Sequence, residues 1–400
     1  MNKLFKSQIL FALHPSIWVW ICVLFPSLGW AQLTGTYTVG GSSTPDYATI
    51  QAAITALNSS GVGLGGVTFN VAAGHTETGA NILITATGTS GSPIVFQKSG
   101  VGVNPKIRAS AGSGASDGII EVQGGDFITF DGIDLVDSSS NITNTSKMEA
   151  GYSFVPSSST NGCQYNTVKN CTITLSSTNT GSPYTSGINF FRGTIASYIS
   201  PSNATVLAGT NSFNRITNNL IIGCRTSINV VGSSSVLYYD RGNWIGTSIS
   251  TGNVVSNWGQ GSISNYGIYV LYQDTVRIIG NAITSPNTIT TATMYGILLS
   301  SSAKNCVIDS NTVSGTSSSS FYAIHLSTVN TNTMFRSNHV NLTSSNGAYL
   351  RAYYLSTVHT STVIKHNTCD LSSSGNENYG LFWSGGTNSS ECSNNNFIVR

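Results

Sequence analysis

The chain has 400 residues, with 17 basic and 15 acidic side chains, a formal net charge of +2 and only 8% charged residues. So few charges exclude a chain held disordered by self-repulsion, and they leave no electrostatic footprint for nucleic acid or an anionic membrane surface. Good helix formers such as Glu, Lys, Arg and Gln are scarce while Gly, Ser, Thr and Asn abound, which argues against long amphipathic helices.

The N-terminus reads as a signal peptide over residues 1–31. Lys3 and Lys6 form a basic start, an apolar stretch is densest from Ile17 to Phe25, and Gly29-Trp30-Ala31 offers a small-x-small cleavage site before Gln32. Pro15 and Pro26 bound the apolar run and leave it too short to span a bilayer comfortably. The mature protein is therefore expected to be secreted, extracellular or on the outer cell surface, with no transmembrane span. Six cysteines remain after Cys22 leaves: Cys163, Cys171, Cys224, Cys306, Cys369 and Cys392. They show no CxxC or His-Cys metal spacing. Several occupy repeat positions otherwise held by Val, Met or Ile, which points to buried free thiols, with a Cys163–Cys171 bridge as the oxidised alternative.

Residues 32–66 read as an N-terminal cap. From Asp46 to Leu57 the apolar residues fall at 50, 53, 54 and 57, which is helical spacing, and Gly61 to Gly66 stops the helix. A solenoid must cover its open apolar end, and this helix is the natural cover. Strands begin at Val67 to Val71, and residues 67–400 form the coiled body. Ile119 to Val122, Phe127 to Phe130 and Ile133 to Val136 read as strands, with turns at Gly124-Gly125 and Asp131-Gly132. Ser186 to Phe190 is a further strand, and an insertion is expected around Ser197 to Gly209.

The C-terminal half repeats. Tyr266-Gly267-Ile268-Tyr269-Val270 recurs as Tyr295 to Leu299, Tyr322 to Leu326, Arg351 to Leu355 and Tyr379 to Trp383, with small residues at 267, 296, 323, 352 and 380. A second motif, apolar-x-x-Asn-x-apolar, follows each copy around Asn281, Asn311, Asn338, Asn367 and Asn396. Upstream it carries Asn219, a partial match at Asn243, and Cys171 in the Asn place. Two motifs in phase at a period of 27–30 residues mean stacked units. Each segment is short, alternates by parity and is bounded by Ser/Thr/Asn/Gly clusters, so the segments are strands. No helix-length segment separates them, so the chain must coil as a parallel β-helix. Asn is expected at the corners because it tolerates left-handed backbone, and amides one coil apart can bond in a ladder. Ile268, Ile297, Ile324, Tyr353 and Leu381 form the inward column. Tyr269, Leu298, His325, Tyr354 and Phe382 form the outward one.

The helix with its Ile50-Gln51-Ala52-Ala53-Ile54 core, then Val67 to Val71 and Gly74-His75-Thr76-Glu77, resembles the entry to the pectin-lyase-like superfamily of right-handed parallel β-helix proteins. Thr76 stands where that group usually has Tyr. Phe130-Asp131-Gly132-Ile133 resembles a common coil motif of the same group, and the resemblance extends over Leu33 to Arg400. It implies an all-β, right-handed parallel β-helix (solenoid) with a short N-terminal capping helix, in a secreted bacterial protein. The superfold hosts lyases, hydrolases, esterases, epimerases and adhesins, so it implies no single chemistry. The chain stops inside an apparent strand at Phe397 to Arg400, and further domains are expected C-terminal to Arg400.

Seven of the fifteen acids lie between Asp117 and Glu149. Lyases of this fold commonly bind Ca²⁺ through Asp on adjacent coils, which makes Asp126, Asp131 and Asp134 the candidate metal ligands. The competing reading is that such acids serve turns. Glu77 is read as support for the first coil, and Asp309, Arg336 and Lys365 as an outward ion-pair column. The ring-bearing outward residues Tyr269, His325, Tyr354 and Phe382 are the candidate binding residues for polysaccharide or a cell-surface glycan. Charge scarcity favours a non-catalytic binding protein, since acid–base chemistry on uronates needs clustered ionisable groups. The alternative is a polysaccharide lyase or glycoside hydrolase, with its site in the inserted loops or beyond Arg400.

Overall fold

A computed structural model describes residues 31–400 except 42–43, 115, 177–184, 195–201, 248–251, 260–263, 286–291, 329, 345–346, 375–376 and 386. The signal peptide read over 1–31 falls almost entirely outside the described residues. Successive coils run through three parallel sheets of 12, 11 and 10 strands. The first sheet starts at Leu33–Val39 and ends at Glu391–Ser393, the second runs from Thr76–Thr78 to Asn396–Val399, and the third from Ile82–Ile84 to Tyr379–Trp383. Each coil visits the first, second and third sheets in turn, so every strand pairs with its own copy one coil away. The architecture is an all-β parallel solenoid of about eleven turns. Among the described residues no helix is long and apolar enough to cross a membrane.

One α-helix, Ile50–Ser60, follows the first strand. The Thr49 side chain accepts the Ala52 N–H, and Gly61 closes the other end at φ 69°, a backbone that favours glycine. Glu77, from the second sheet, accepts the N–H groups of Ile50 at 2.6 Å and Gln51 at 3.1 Å. Those two amides have no intrahelical partner, and a carboxylate complements the positive end of the helix dipole. Glu77 thus supports the first coil, as read from the sequence. Ile50, Ala53, Ile54 and Leu57 are buried. The strand Leu33–Val39 precedes the helix and pairs with Val62–Ala72.

The Asn column is a continuous ladder, with two changes of membership. Asn219, Asn253, Asn281, Asn311, Asn338, Asn367 and Asn395 each offer Oδ1 to the backbone N–H of the preceding coil, beginning at Cys171. Their Nδ2 groups donate to strand carbonyls, as Asn311 does to Ile278 at 2.8 Å. Asn395, not Asn396, closes the column; Asn396 opens the strand Asn396–Val399. Asn243 belongs to a second ladder at the entry to the first sheet, with Asn166 and Asn214. The expected reason for Asn is also corrected. The left-handed residues are those just before the ladder, Gly280, Ser310, Ser337 and His366, at φ 54–69°. The ladder asparagines are selected by their amides, which satisfy buried backbone groups.

All six described cysteines are free, so the Cys163–Cys171 bridge is not formed. Burial pushes the thiols of Cys163, Cys171, Cys224 and Cys306 up to about 12, and that of Cys369 to about 11. Cys392 is exposed. Maleimide labelling of the native protein is therefore expected to modify Cys392 ahead of the other five, because the thiolate is the nucleophile. Cys392→Ser should remove the fast phase. Fast labelling that survives this change would show that the core opens readily.

Candidate functional site

The repeating strand of the third sheet carries two outward columns. Gly267 breaks the alternation: Tyr266 and Ile268 pair with Tyr295 and Ile297, while the register skips Gly267 and Gly296. A Cβ at Gly267 would lie 2.5 Å from the Gly296 carbonyl and 2.7 Å from Ile283, so this position faces the core and admits only a small residue. This break in alternation, repeated in register on each coil, turns Tyr266 outward beside Tyr269, with ring centroids 4.6 Å apart. One column is thus Tyr266, Tyr295, Tyr322, Arg351 and Tyr379; the other is Tyr269, Leu298, His325, Tyr354 and Phe382.

These side chains form one contiguous surface over five coils. Tyr266 stacks on Tyr295 at 5.3 Å, Tyr295 on His325 at 5.5 Å, and His325 on Tyr354 at 4.3 Å. Phe382 meets Tyr354 edge-on at 5.3 Å. The Arg351 guanidinium lies 4.2 Å from the Phe382 centroid and 4.4 Å from that of Tyr354, well within cation–π range. Leu298 and His325 are buried, whereas Tyr269, Tyr354, Phe382 and Arg351 are partly exposed. His325 bonds the Ser356 hydroxyl at 3.1 Å. Burial, then the charge of Arg351, holds its imidazole down to about 3, so it is neutral at physiological pH. Of the four predicted binding residues, Tyr269, Tyr354 and Phe382 remain accessible while His325 forms the floor.

Sequence reasoning missed Tyr266, Tyr295, Tyr322, Arg351 and Tyr379 as surface residues. Their parity with Ile268 placed them on the inward face. The small residue following each was the signal that the alternation breaks.

The acids from 117 to 149 mostly staple neighbouring coils. Asp126 accepts the Gln164 N–H at 2.7 Å, and burial pushes its carboxyl up to about 6. Asp131 pairs with Lys169 at 3.0 Å and accepts from Asn170. Asp134 accepts from Asn104 and from the Thr172 N–H. Asp131 and Asp134 flank one corner, linked through Asn170 and Asn104, and Asp126 lies before the strand that leads to it. Among the described residues no group of three or more His, Cys, Asp or Glu converges as a metal site. Asp309, Arg336 and Lys365 do align on successive coils, with Arg336–Asp309 at 2.6 Å and Lys365–Glu391 at 2.8 Å. Where residues 137–149 interrupt the repeat, a cleft of about 470 Å³ opens beside Asp137, Asn141, Lys147 and Thr174. Burial raises the Asp137 carboxyl against the opposing pull of the Asn141 amide, 2.6 Å away, and the Lys147 charge.

No protein-family model matches the chain, and no curated protein matches it. Among solved structures it is similar to the native GH136 lacto-N-biosidase from Eubacterium ramulus, at 11% identity and TM-score 0.54, over 91% of this chain and 68% of that one. The selenomethionine derivative of the same protein gives 12% identity and TM-score 0.56 at the same coverage. A rhamnogalacturonan lyase gives 15% identity and TM-score 0.45, over 90% and 87% of the two chains. What the chain shares with the lacto-N-biosidase is a fold, the parallel β-helix.

Proposed function

We propose that the protein acts on a polysaccharide, as a lyase or glycoside hydrolase, holding the glycan along the ring-bearing outer face of the third sheet. The observation that carries this reading is the run of partly exposed rings over five successive coils, with a guanidinium seated among them. Partly exposed rings that touch across successive coils support a binding role, since contiguous apolar surface commonly serves interaction. The lacto-N-biosidase that shares the fold supports turnover over passive binding. The cleft beside Asp137 and Lys147 is where an acid–base step would be sought, because it brings a carboxyl and an amine to one opening where the repeat breaks. In this reading the mature protein works outside the cell, and helix Ile50–Ser60 caps the N-terminal end of the solenoid.

Binding without turnover is the second reading, favoured by the engagement of Asp131 and Asp134 in bonds between coils. The test incubates the protein with neutral and acidic polysaccharides and follows new reducing ends, unsaturated products and retention of the chain. Reducing ends alone identify a hydrolase, and unsaturated ends identify a lyase. The double substitution Tyr354→Ala/Phe382→Ala is expected to weaken kcat/KM or affinity about tenfold or more, equivalent to ~1.4 kcal/mol. If no polysaccharide is either retained or cleaved, the proposal fails.

A further inference from the structure

A second surface, on the first sheet and the corner preceding it, carries a concentration of positive charge that the glycan-holding face does not use. Arg215, Trp244 and Arg277 stand in register on three successive coils. The indole is sandwiched, with the Arg215 guanidinium 5.3 Å and the Arg277 guanidinium 5.7 Å from its ring. Both arginines are exposed. At the adjoining corner Asp240 is fully buried, so its neighbour Arg241 alternates outward. The backbone of Arg241 pairs in register with that of Asp274, which pairs in turn with the backbone of Lys304 one coil on. Four of the chain's 17 basic residues therefore gather on neighbouring coils, with the buried Asp240 and the partly exposed Asp274 as the acids beside them. Asp274 is engaged elsewhere, its carboxylate accepting the Asn305 amide at 2.8 Å. Among the described residues none of the four cations takes part in an ion pair, although the Arg336 and Lys365 column shows that this chain pairs surface charges where it places them together.

Two exposed guanidiniums stacked on one indole, with no carboxylate partner, leave their hydrogen-bonding edges facing outward for an anion. Stacking on an indole fixes their planes and lowers the entropy lost on binding, and a planar guanidinium takes a carboxylate or sulfate through two parallel hydrogen bonds. Strands repeat every ~4.8 Å, so Arg215 and Arg277 are about 9.6 Å apart along the solenoid axis. Two such cations suit anionic groups regularly spaced along an extended polymer. We propose that the Arg215–Trp244–Arg277 strip, flanked by Arg241 and Lys304, is a binding site for an anionic polysaccharide, through its carboxylate or sulfate groups. A neutral overall balance of charge disfavours nucleic acid, whose binding draws on larger basic fields. The site lies on a different sheet from the aromatic face, and it stands or falls independently of the proposed function.

The experiment titrates the protein with polygalacturonate, dextran sulfate, neutral dextran and duplex DNA at two salt concentrations. At least one of the two acidic polysaccharides is expected to bind, more weakly at high salt, with neutral dextran ignored by this strip. Preference between the two separates carboxylate from sulfate recognition. Arg215→Ala/Arg277→Ala is expected to weaken that binding tenfold or more, and Trp244→Ala several-fold. Arg215→Lys/Arg277→Lys keeps the charge and guards against misfolding; it should fold normally and bind with intermediate affinity, having lost the bidentate fork. Parent-like binding by a folded Arg215/Arg277 variant, or tighter binding of DNA than of either polysaccharide, would overturn the proposal.

Discussion

Asn311→Leu is expected to lower stability by roughly 3–5 kcal/mol, through buried groups left without partners. Asn311 Oδ1 accepts both the Asn281 N–H at 3.0 Å and the Asn281 amide at 2.9 Å, and its own Nδ2 donates to the Ile278 carbonyl at 2.8 Å and to Asn338 at 3.0 Å. All of these atoms are buried. Leucine matches the volume but supplies neither donor nor acceptor, so the Asn281 N–H is orphaned and Ile278 loses its side-chain partner. Each such loss costs about 1–3 kcal/mol, because the group has already surrendered its water. A solenoid transmits stability through neighbouring coils, so protection of amides near Asn281 and Asn338 should fall together. Asn311→Asp keeps the acceptor but loses the donor and buries a carboxylate; it should be destabilising at neutral pH and recover partly in acid. Urea midpoints and hydrogen exchange give the readout, and a loss for Asn311→Leu below about 1 kcal/mol would show that the ladder is ornament rather than structure.

Asp240→Asn is expected to change the shape of the stability–pH curve. Asp240 is fully buried and accepts the Asn211 N–H at 3.0 Å. Burial pushes its carboxyl up to about 7, against the opposing effects of that N–H and of the Arg192 charge. The folded value is raised above the unfolded one. The stabilisation it contributes is therefore full below the ordinary carboxylate range near 4 and is lost as pH rises through about 7. At ~1.4 kcal/mol per unit, the loss across that window is on the order of 4 kcal/mol. An asparagine keeps the acceptor and cannot ionise, so the variant should approach the parent near pH 4 and exceed it increasingly towards pH 8. His325 and His359 act in the opposite sense. Burial holds them down to about 3 and about 4, so their contribution is present above the ordinary imidazole range and is lost as pH falls through those values. They are common to both proteins and cancel in the difference between the two curves. A pH-independent difference in Tm between parent and Asp240→Asn would falsify the assignment.

The coil was legible because its signals are local and periodic. Each Tyr-Gly-type strand needs an apolar residue facing the core and a small residue where the next coil's backbone approaches, and each corner needs an amide. Through the C-terminal repeat these demands recur every 27–30 residues and leave a pattern in one dimension. The helix showed itself through its apolar spacing and terminal glycines, and Glu77 through its place just after the first long strand. What misled was also local. Simple alternation would put Tyr266 and Tyr295 on the inward face, because a break in alternation at a small residue leaves no trace in parity. Asn396 was taken for Asn395, and Asn243 for a member of the main column, because two corner ladders use the same residue type and an insertion separates Asn243 from Asn253.

The candidate surfaces were legible in part. His325, Tyr354 and Phe382 could be assigned to one face from the repeat, since stacking in register follows from a constant period. Arg351 could be aligned with Tyr322, but its position among four rings could not be read from the repeat. Nor could the Arg215–Trp244–Arg277 sandwich, whose members are separated by loops of unequal length. Periodicity fixes which residues share a column, because equal steps along the chain become equal steps along the axis. Which columns come together at a corner, which carboxylates are consumed by neighbouring coils, and which cations are left without an acid depend on how loops of different lengths close. Those distances exist only once the chain is wound.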